Sequence, residues 1–231
     1  MVDPAAGCGG AEGTARCLLC ASADVALFQY LEGRLYWRCG TCALTYLDPG
    51  QRLLPEDEFN HYLSHENDVD DPGYRRFLSR LSAPLLQRLP PGSRGIDYGC
   101  GPGPALAHML REAGHHVALY DPFFVPDKAV LRVTYDFITC TEVAEHFHEP
   151  ANEFARFDAM LRPGGLLGLM TSFQTDDTRF ATWHYRRDPS HVSFYKRDTL
   201  AFMADRMGWR FESPAKDIAL MWKPASVTAR S

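Results

Sequence analysis

The chain has 231 residues, 45% apolar and 23% charged, with a net charge of −5. That length buries one good core with room for a small attached module. No apolar run reaches the roughly 18 residues of a membrane span, and the acidic balance supplies no general positive field to recruit nucleic acid.

Residues 1–15, opening MVDPAAGCGG, have neither the basic start nor the apolar stretch of an export signal. They read as a flexible tail, and the cytoplasm is the expected location. Four of the seven cysteines then form the pattern Cys17-x2-Cys20-x18-Cys39-x2-Cys42. Two close pairs at this spacing present four sulfurs to a tetrahedral zinc ion. DVALFQYLEGRLYWRC, between the pairs, predicts two strands around a Glu-Gly-Arg turn that brings them together. Residues 16–50 are therefore a zinc-ribbon-like module. The zinc is structural, because four thiolates leave no open position for chemistry. Cys8, Cys100 and Cys140 have no such partners and read as plain small side chains.

Residues 51–73 form a linker or lid, in which His65, Glu66 and Asn67 are a polar cluster beside Tyr62 and Tyr74. From Tyr74 to the end, helix and strand signals alternate. YRRFLSRLSAPLLQRL puts Phe77, Leu78, Leu81 and Leu85 on one helical face, with a kink or restart at Pro84. RGIDYG reads as a strand, and Pro104 opens a helix whose stripe is Leu106, Met109, Leu110 and Ala113. HHVALYD, YDFITCT and LLGLMTS read as further strands and PANEFARFDAML as a helix, while GWRFES and IALMW suit a closing antiparallel hairpin. The expected fold is α/β: a Rossmann-like, mostly parallel sheet with that hairpin, plus the ribbon. Ligands of such sheets sit at the carboxyl ends of the strands.

GIDYGCGPGP carries glycines at Gly99, Gly101 and Gly103 directly after a strand. It lacks the third glycine of a nicotinamide fingerprint and the Gly-Lys-Ser/Thr of a phosphate loop. IDYGCGPG, VALYDPF, YDFITCTEVAEHF and MLRPGGLLGLMT, in that order, resemble the class I S-adenosylmethionine (SAM)-dependent methyltransferases. The resemblance covers residues 74–231. It implies that the glycines lie against the methionine part of SAM, with Asp97 holding its ammonium directly or through water. It also implies that Asp121 binds both ribose hydroxyls, with Pro122 beside it and Phe123 packing on the adenine. Thr141 and Glu142 would line the wall between SAM and acceptor, and Tyr74 or Arg75 would meet the methionine carboxylate. Only fourteen residues separate Asp121 from Asp136, too few for the usual helix and third strand, so no adenine-contacting acid is named.

Glu142-Val-Ala-Glu145-His146, if helical, places both carboxylates and the imidazole on one face. The motif resembles the metal-binding Glu-x-x-Glu-His of ubiquinone-biosynthesis O-methyltransferases and small-RNA 2′-O-methyltransferases, with His191 in the place of their later histidine. One reading is a magnesium, manganese or iron-like ion on Glu142, Glu145, His146 and His191, lowering the pKa of an acceptor hydroxyl in a vicinal or catechol-like pair. The other is metal-free, with His146 or His191 as base. His184, Tyr195 and His65 are candidate acceptor contacts. The favoured activity is O-methylation of a small molecule. An RNA substrate remains an alternative, since ribbons also precede certain ribosomal-RNA methyltransferases and Tyr185-Arg186-Arg187 is a possible local basic patch. A sugar C-methyltransferase and a non-catalytic protein-binding ribbon are the others.

Overall fold

The computed structural model describes residues 16–63 and 68–225. The expected tail and the expected acceptor contact His65 lie outside them. The N-terminal module is a hairpin of β1 (Val25–Leu31) and β2 (Arg34–Cys39), extended by β3 (Thr45–Leu47). Its turn is Glu32-Gly33 with φ of 52° and 82°, the left-handed pair that a two-residue hairpin demands. The turn sets the register that ends β2 at Cys39. Four sulfurs then converge: Cys17 Sγ lies 3.6 Å from Cys42 Sγ, and Cys20 Sγ 3.5 Å from Cys39 Sγ. These separations are far beyond a disulfide bond. They approach the edge of roughly 3.8 Å that a tetrahedron with 2.3 Å zinc–sulfur bonds requires. The Leu19 and Cys42 amides point at Cys17 Sγ and Cys39 Sγ, at 3.4 and 3.5 Å. The donor set fits zinc. Changing Cys39 and Cys42 together to serine is expected to reduce bound zinc from about one per chain to a trace, read by elemental analysis.

After α1 (Pro55–Tyr62) and α2 (Pro72–Leu86) the chain enters the main sheet. Its strands are β4 (Arg94–Tyr98), β5 (His116–Tyr120), β6 (Tyr135–Thr141), β7 (Leu161–Met170), β9 (Arg210–Ala215) and β10 (Ile218–Trp222). Their order is β5-β4-β6-β7-β10-β9. The first four run parallel, and β10 is antiparallel to both β7 and β9, the closing hairpin expected from sequence. Between β5 and β6 lies a single 3-10 turn, Val130–Arg132, so β5 is an edge strand and the short spacer indeed holds no third strand.

Helices cover both faces. α2 and α3 (Ala105–Glu112) bury Leu78, Leu81, Leu85, Leu106 and Leu110 against Phe137, Leu166 and Leu220. α4 (Pro150–Met160) and α6 (Arg197–Arg206) bury Phe154, Phe157, Leu200 and Met203 on the other side. Of the kink or restart expected at Pro84, the restart does not occur: α2 runs on through it to Leu86. Leu81 and Leu85 lie so close to β7 that a Cβ at Gly168 would sit 3.2 Å from each. This packing outweighs the one hydrogen bond that proline forfeits.

The ribbon is not a separate bead. Its sheet has the order β1-β2-β3-β8, and β8 (Ser193–Phe194) belongs to the segment after β7, close to a hundred and fifty residues later in the chain.

Candidate functional site

A cleft of about 780 Å³ opens at the carboxyl ends of β4, β5 and β6, where ligands of such sheets sit. Gly99 and Gly101 line it, with φ of 76° and 62°. Gly103 does not; its carbonyl accepts from the Ala105 amide as the chain turns into α3. The Gly99 and Cys100 amides both donate to the Tyr120 carbonyl, at 2.8 and 3.1 Å. A Cβ on Gly99 would sit 2.4 Å from Val143 Cγ2. Gly99→Ala therefore combines a left-handed backbone cost of about 1–2 kcal/mol with displacement of the Val143 turn. It is expected to weaken S-adenosylhomocysteine (SAH) binding at least tenfold in calorimetry.

Asp121 ties two loops together. Its Oδ1 accepts from the Phe123 and Phe124 amides at 2.9 and 3.0 Å, and its Oδ2 from the Gly101 amide at 3.0 Å. A carboxylate has about four acceptor positions, so capacity remains for a ligand hydroxyl. Asp97 lies beneath the glycine loop, buried and outside the cleft lining. Its Oδ1 accepts from the Thr139 hydroxyl at 2.7 Å. Burial pushes its pKa up to about 6, against the pull of the Thr139 bond and Arg111. The folded pKa therefore exceeds that of the unfolded chain, so stability falls as pH rises from about 3.8 through 6. Asp97→Asn removes that penalty. It is expected to stabilise the protein by roughly 1–3 kcal/mol at pH 7.5 in urea unfolding and by nearly nothing at pH 3.5.

The facing wall begins at the end of β6 with Thr141 and Glu142. The expected helix is absent. Glu142 takes a left-handed φ of 51° while its amide donates to the Met170 carbonyl at 2.8 Å, and a single 3-10 turn, Ala144–His146, follows. The kink separates Glu142 from Glu145. Glu142 Oε2 accepts from the Tyr185 hydroxyl at 3.3 Å, and burial followed by the Glu145 charge lifts its pKa to about 8. Glu145 is fully buried. Its Oε2 accepts from the Thr171 hydroxyl at 2.8 Å. Its Oε1, 3.9 Å from His146 Nε2, has no hydrogen-bond partner among the described residues.

His146 Nδ1 lies 3.1 Å from the Ser190 carbonyl, and His191 Nδ1 lies 2.6 Å from the Tyr185 carbonyl. A carbonyl only accepts, so each Nδ1 carries a hydrogen, and a neutral ring then holds its lone pair on Nε2. Burial lowers the His191 pKa, which keeps this ring neutral. The rings are 4.7 Å apart, and one donor atom each from Glu145, His146 and His191 lie within 4.8 Å of one another. This trio replaces the four-residue set expected from sequence, because Glu142 is turned toward Tyr185.

Other expected contacts are redistributed. His184 is exposed, and its neighbour Tyr185 is buried at the site instead, its hydroxyl 3.0 Å from Thr171 Oγ1. The helix α5 (His184–Arg187) is one turn long, too short for a periodic pattern to reveal which residue faces in. Tyr195 is fully buried and donates to the Ala144 carbonyl at 3.1 Å, so it supports the turn from behind. Tyr74 lines the cleft, whereas Arg75 is held outside it by Glu112 and the Val69 carbonyl. Arg186 is buried against Tyr36, Glu32 and the Ala181 carbonyl, so Tyr185-Arg186-Arg187 is no basic surface patch. The roof comes from the segment expected as a linker or lid, through residues of α1 with no role assigned from sequence. α1 sets Phe59 against Phe123 and Phe124 with ring centroids 5.5 and 6.2 Å apart, and Tyr62 edge-on to His146 at 5.2 Å. Glu58 joins them in the lining, and His61 pairs with Asp188 at 3.1 Å.

The lining is strongly acidic. Glu58, Asp121, Glu142, Glu145, Glu149, Glu153 and Asp188 face one arginine, Arg156, whose guanidinium is already engaged by Glu153 and the Tyr98 hydroxyl at about 2.5 Å. Among the described residues no helix is long and apolar enough to cross a membrane.

The sequence matches no curated protein. Among solved structures the chain is similar to the 1,6-didemethyltoxoflavin-N1-methyltransferase of Burkholderia thailandensis, solved with bound 1,6-didemethyltoxoflavin and SAH. The two are 18% identical, over 84% of this chain and 96% of that one, with a TM-score of 0.48. It is also similar to magnesium protoporphyrin IX methyltransferase of Synechocystis with bound SAH, at 16% identity, 73% and 93% coverage and a TM-score of 0.48. A third is an O-methyltransferase family protein of B. thailandensis, at 15% identity, 74% and 69% coverage and 0.47. The family model described as "Methyltransferase domain" matches residues 66–213. That span carries the glycine loop, Asp121 and the Glu145–His146–His191 cluster, and the chain belongs to this methyltransferase-domain family, the SAM-dependent methyltransferases, with a four-cysteine module ahead of the domain.

Proposed function

We propose that the protein transfers the methyl group of SAM to a hydroxyl of a neutral or cationic small molecule, activated at Glu145, His146 and His191. The cofactor half follows the family: Gly99 and Gly101 against the methionine, Asp121 on the ribose hydroxyls, Pro122 and Phe123 toward the adenine. Thr141, Glu142 and Tyr74 form the wall toward the acceptor. The observation that carries the acceptor half is Glu145 Oε1, fully buried and with no hydrogen-bond partner among the described residues, beside two imidazoles whose Nδ1–H groups are both spent on carbonyls. A buried carboxylate oxygen in that state calls for a proton donor or an ion.

The methyl sulfonium is a reactive donor, so alignment supplies much of the rate. The acceptor hydroxyl then needs a group to take its proton as the carbon–oxygen bond forms and the carbon–sulfur bond breaks. His191 Nε2 holds a lone pair for this, and neutral His191 is a competent base at physiological pH, with His146 beside it as the second imidazole. Glu145 stabilises the imidazolium that results. The same three donors also fit a divalent ion: each ring's second nitrogen is fixed by a carbonyl, as metal-bound histidines require, and two imidazoles with one carboxylate suit manganese or iron better than magnesium. Such an ion, when bound, supplies Lewis-acid lowering of the hydroxyl's pKa.

Glu142 is protonated at neutral pH and Glu153 is paired with Arg156. The remaining carboxylates of the lining face no unengaged arginine or lysine among the described lining residues, which disfavours anionic acceptors, RNA included. In an SAH-release assay with and without manganese, catechols and vicinal diols are expected to turn over. Their phosphorylated analogues and short RNAs are expected to give at least tenfold lower rates. Turnover confined to RNA would overturn the proposal.

A further inference from the structure

The cysteine module has two conceivable uses, as a hook for an outside partner or as part of the site. Its contacts decide between them. β3 pairs with β8, Thr45 opposite Phe194 and Tyr46 opposite Ser193. One residue upstream, the Leu47 amide donates to the Val192 carbonyl at 2.9 Å, while the Val192 amide donates to the Glu145 carbonyl at 2.8 Å. A continuous backbone connection thus runs from the ribbon through the residue after His191 to Glu145.

Side chains add two more connections. Arg38, adjacent to Cys39, donates through Nε to Thr45 Oγ1 at 2.6 Å and pairs with Asp177 at 3.0 Å. The Thr45 hydroxyl donates to Gln174 Oε1 at 2.8 Å, and Gln174 Nε2 donates to Asp177 Oδ1 at 3.0 Å. Thr45 and Gln174 are both buried, and the Gln174 amide holds the Tyr195 carbonyl at 2.8 Å. Second, Arg186, next to Tyr185, is sealed against Tyr36 of β2 and Glu32 of the hairpin turn. Around these polar links a shared apolar core forms, with Tyr36 and Leu47 from the ribbon and Phe180, Tyr185, Val192 and Phe194 from the later segment. Thr45, Gln174 and Arg186 are buried, while Asp177 and Glu32 reach the surface. Breaking the links at the buried members leaves unpaired groups, which favours a single arrangement.

We infer that the four-cysteine module is the scaffold that positions His191 and Tyr185 in the acceptor site, so that an intact zinc site sets the geometry of the acceptor wall and not that of the SAM wall. The inference rests on the proposed reading of His191 as an acceptor-side group. The cofactor loops stand apart from these links: Asp121 is tied to Gly101, Phe123 and Phe124, and the Gly99 and Cys100 amides to Tyr120. The zinc-bound knuckles would fix the end of β2, at Cys39, against the start of β3, just after Cys42, and the register of β3 is passed to β8.

The test is hydrogen–deuterium exchange on the full chain, with zinc and after its removal by a chelator, paired with SAH calorimetry. Zinc removal is expected to accelerate exchange at least tenfold in residues 184–195, to leave residues 95–121 unchanged, and to keep SAH affinity within threefold. Unchanged protection of residues 184–195 once zinc is gone overturns the inference. If chelation abolishes SAH binding as well, the chain has unfolded as a whole, and Thr45→Val decides. That variant keeps all four cysteines and bound zinc. It is expected to show the tenfold acceleration at 190–195 with SAH affinity within threefold, and unaltered protection there contradicts the scaffold role. Absence of SAH binding by the untreated protein would instead refute the methyltransferase reading, so the two failures are distinguishable.

Discussion

Asp121→Ala is expected to weaken SAH binding a hundredfold or more, about 2.7 kcal/mol or greater, while the protein remains folded. Three backbone amides converge on this carboxylate from two different loops, two from residues just after β5 and one from the glycine loop after β4. Hydrogen bonds to a charged acceptor are worth about 1.5–3 kcal/mol each. Removing the acceptor therefore frees both loops and deletes the proposed ribose partner in one step. Asp121→Asn separates these contributions. Its carbonyl still accepts from Phe123 and Phe124, but its amide would face the Gly101 N–H with donor against donor. An intermediate loss of about tenfold is expected, with unfolding by urea nearly unchanged for Asn and measurably easier for Ala.

Glu145→Gln is expected to reduce methyl transfer by about 10²–10³ with the Michaelis constant for SAM unchanged. The substitution keeps the shape, and its carbonyl still accepts from Thr171. The amide nitrogen replaces Oε1 with a donor, so the group beside the two imidazoles no longer stabilises a positive charge or holds an ion. Burial raises the Glu145 pKa in the fold, so its charge costs stability at neutral pH, and glutamine is expected to raise the melting temperature. Loss of turnover together with a gain in stability separates a site residue from a packing residue. A variant that loses both, or retains full turnover, contradicts the role assigned here.

Much of this was legible in sequence because the signals are local. YDFITCT is β6 to the residue, and the Glu-Gly turn, the paired cysteine knuckles and the glycine loop are each set by residues within a few positions of one another. The short spacer between Asp121 and Asp136 foretold the missing strand. What escaped was set by distant partners. Glu142-Val-Ala-Glu145-His146 looks helical in isolation, but pairing of the Glu142 amide with the Met170 carbonyl bends it into a left-handed step. Whether His184 or Tyr185 turns inward depends on the phase of a one-turn helix. Arg75 found Glu112 instead of the cleft. The β3–β8 pairing joins residues too far apart for periodicity to register, and within the expected linker or lid the contact of Phe59 with Phe123 exists only in the folded chain.

All of these roles presuppose that an adenosyl cofactor occupies the cleft above the glycine loop. Titrating the zinc-loaded chain with SAH in a calorimeter tests that most directly. One equivalent bound per chain, with micromolar or tighter affinity that Asp121→Ala removes, is the result expected; a folded protein, verified by circular dichroism, that releases no heat with either SAH or SAM would contradict it.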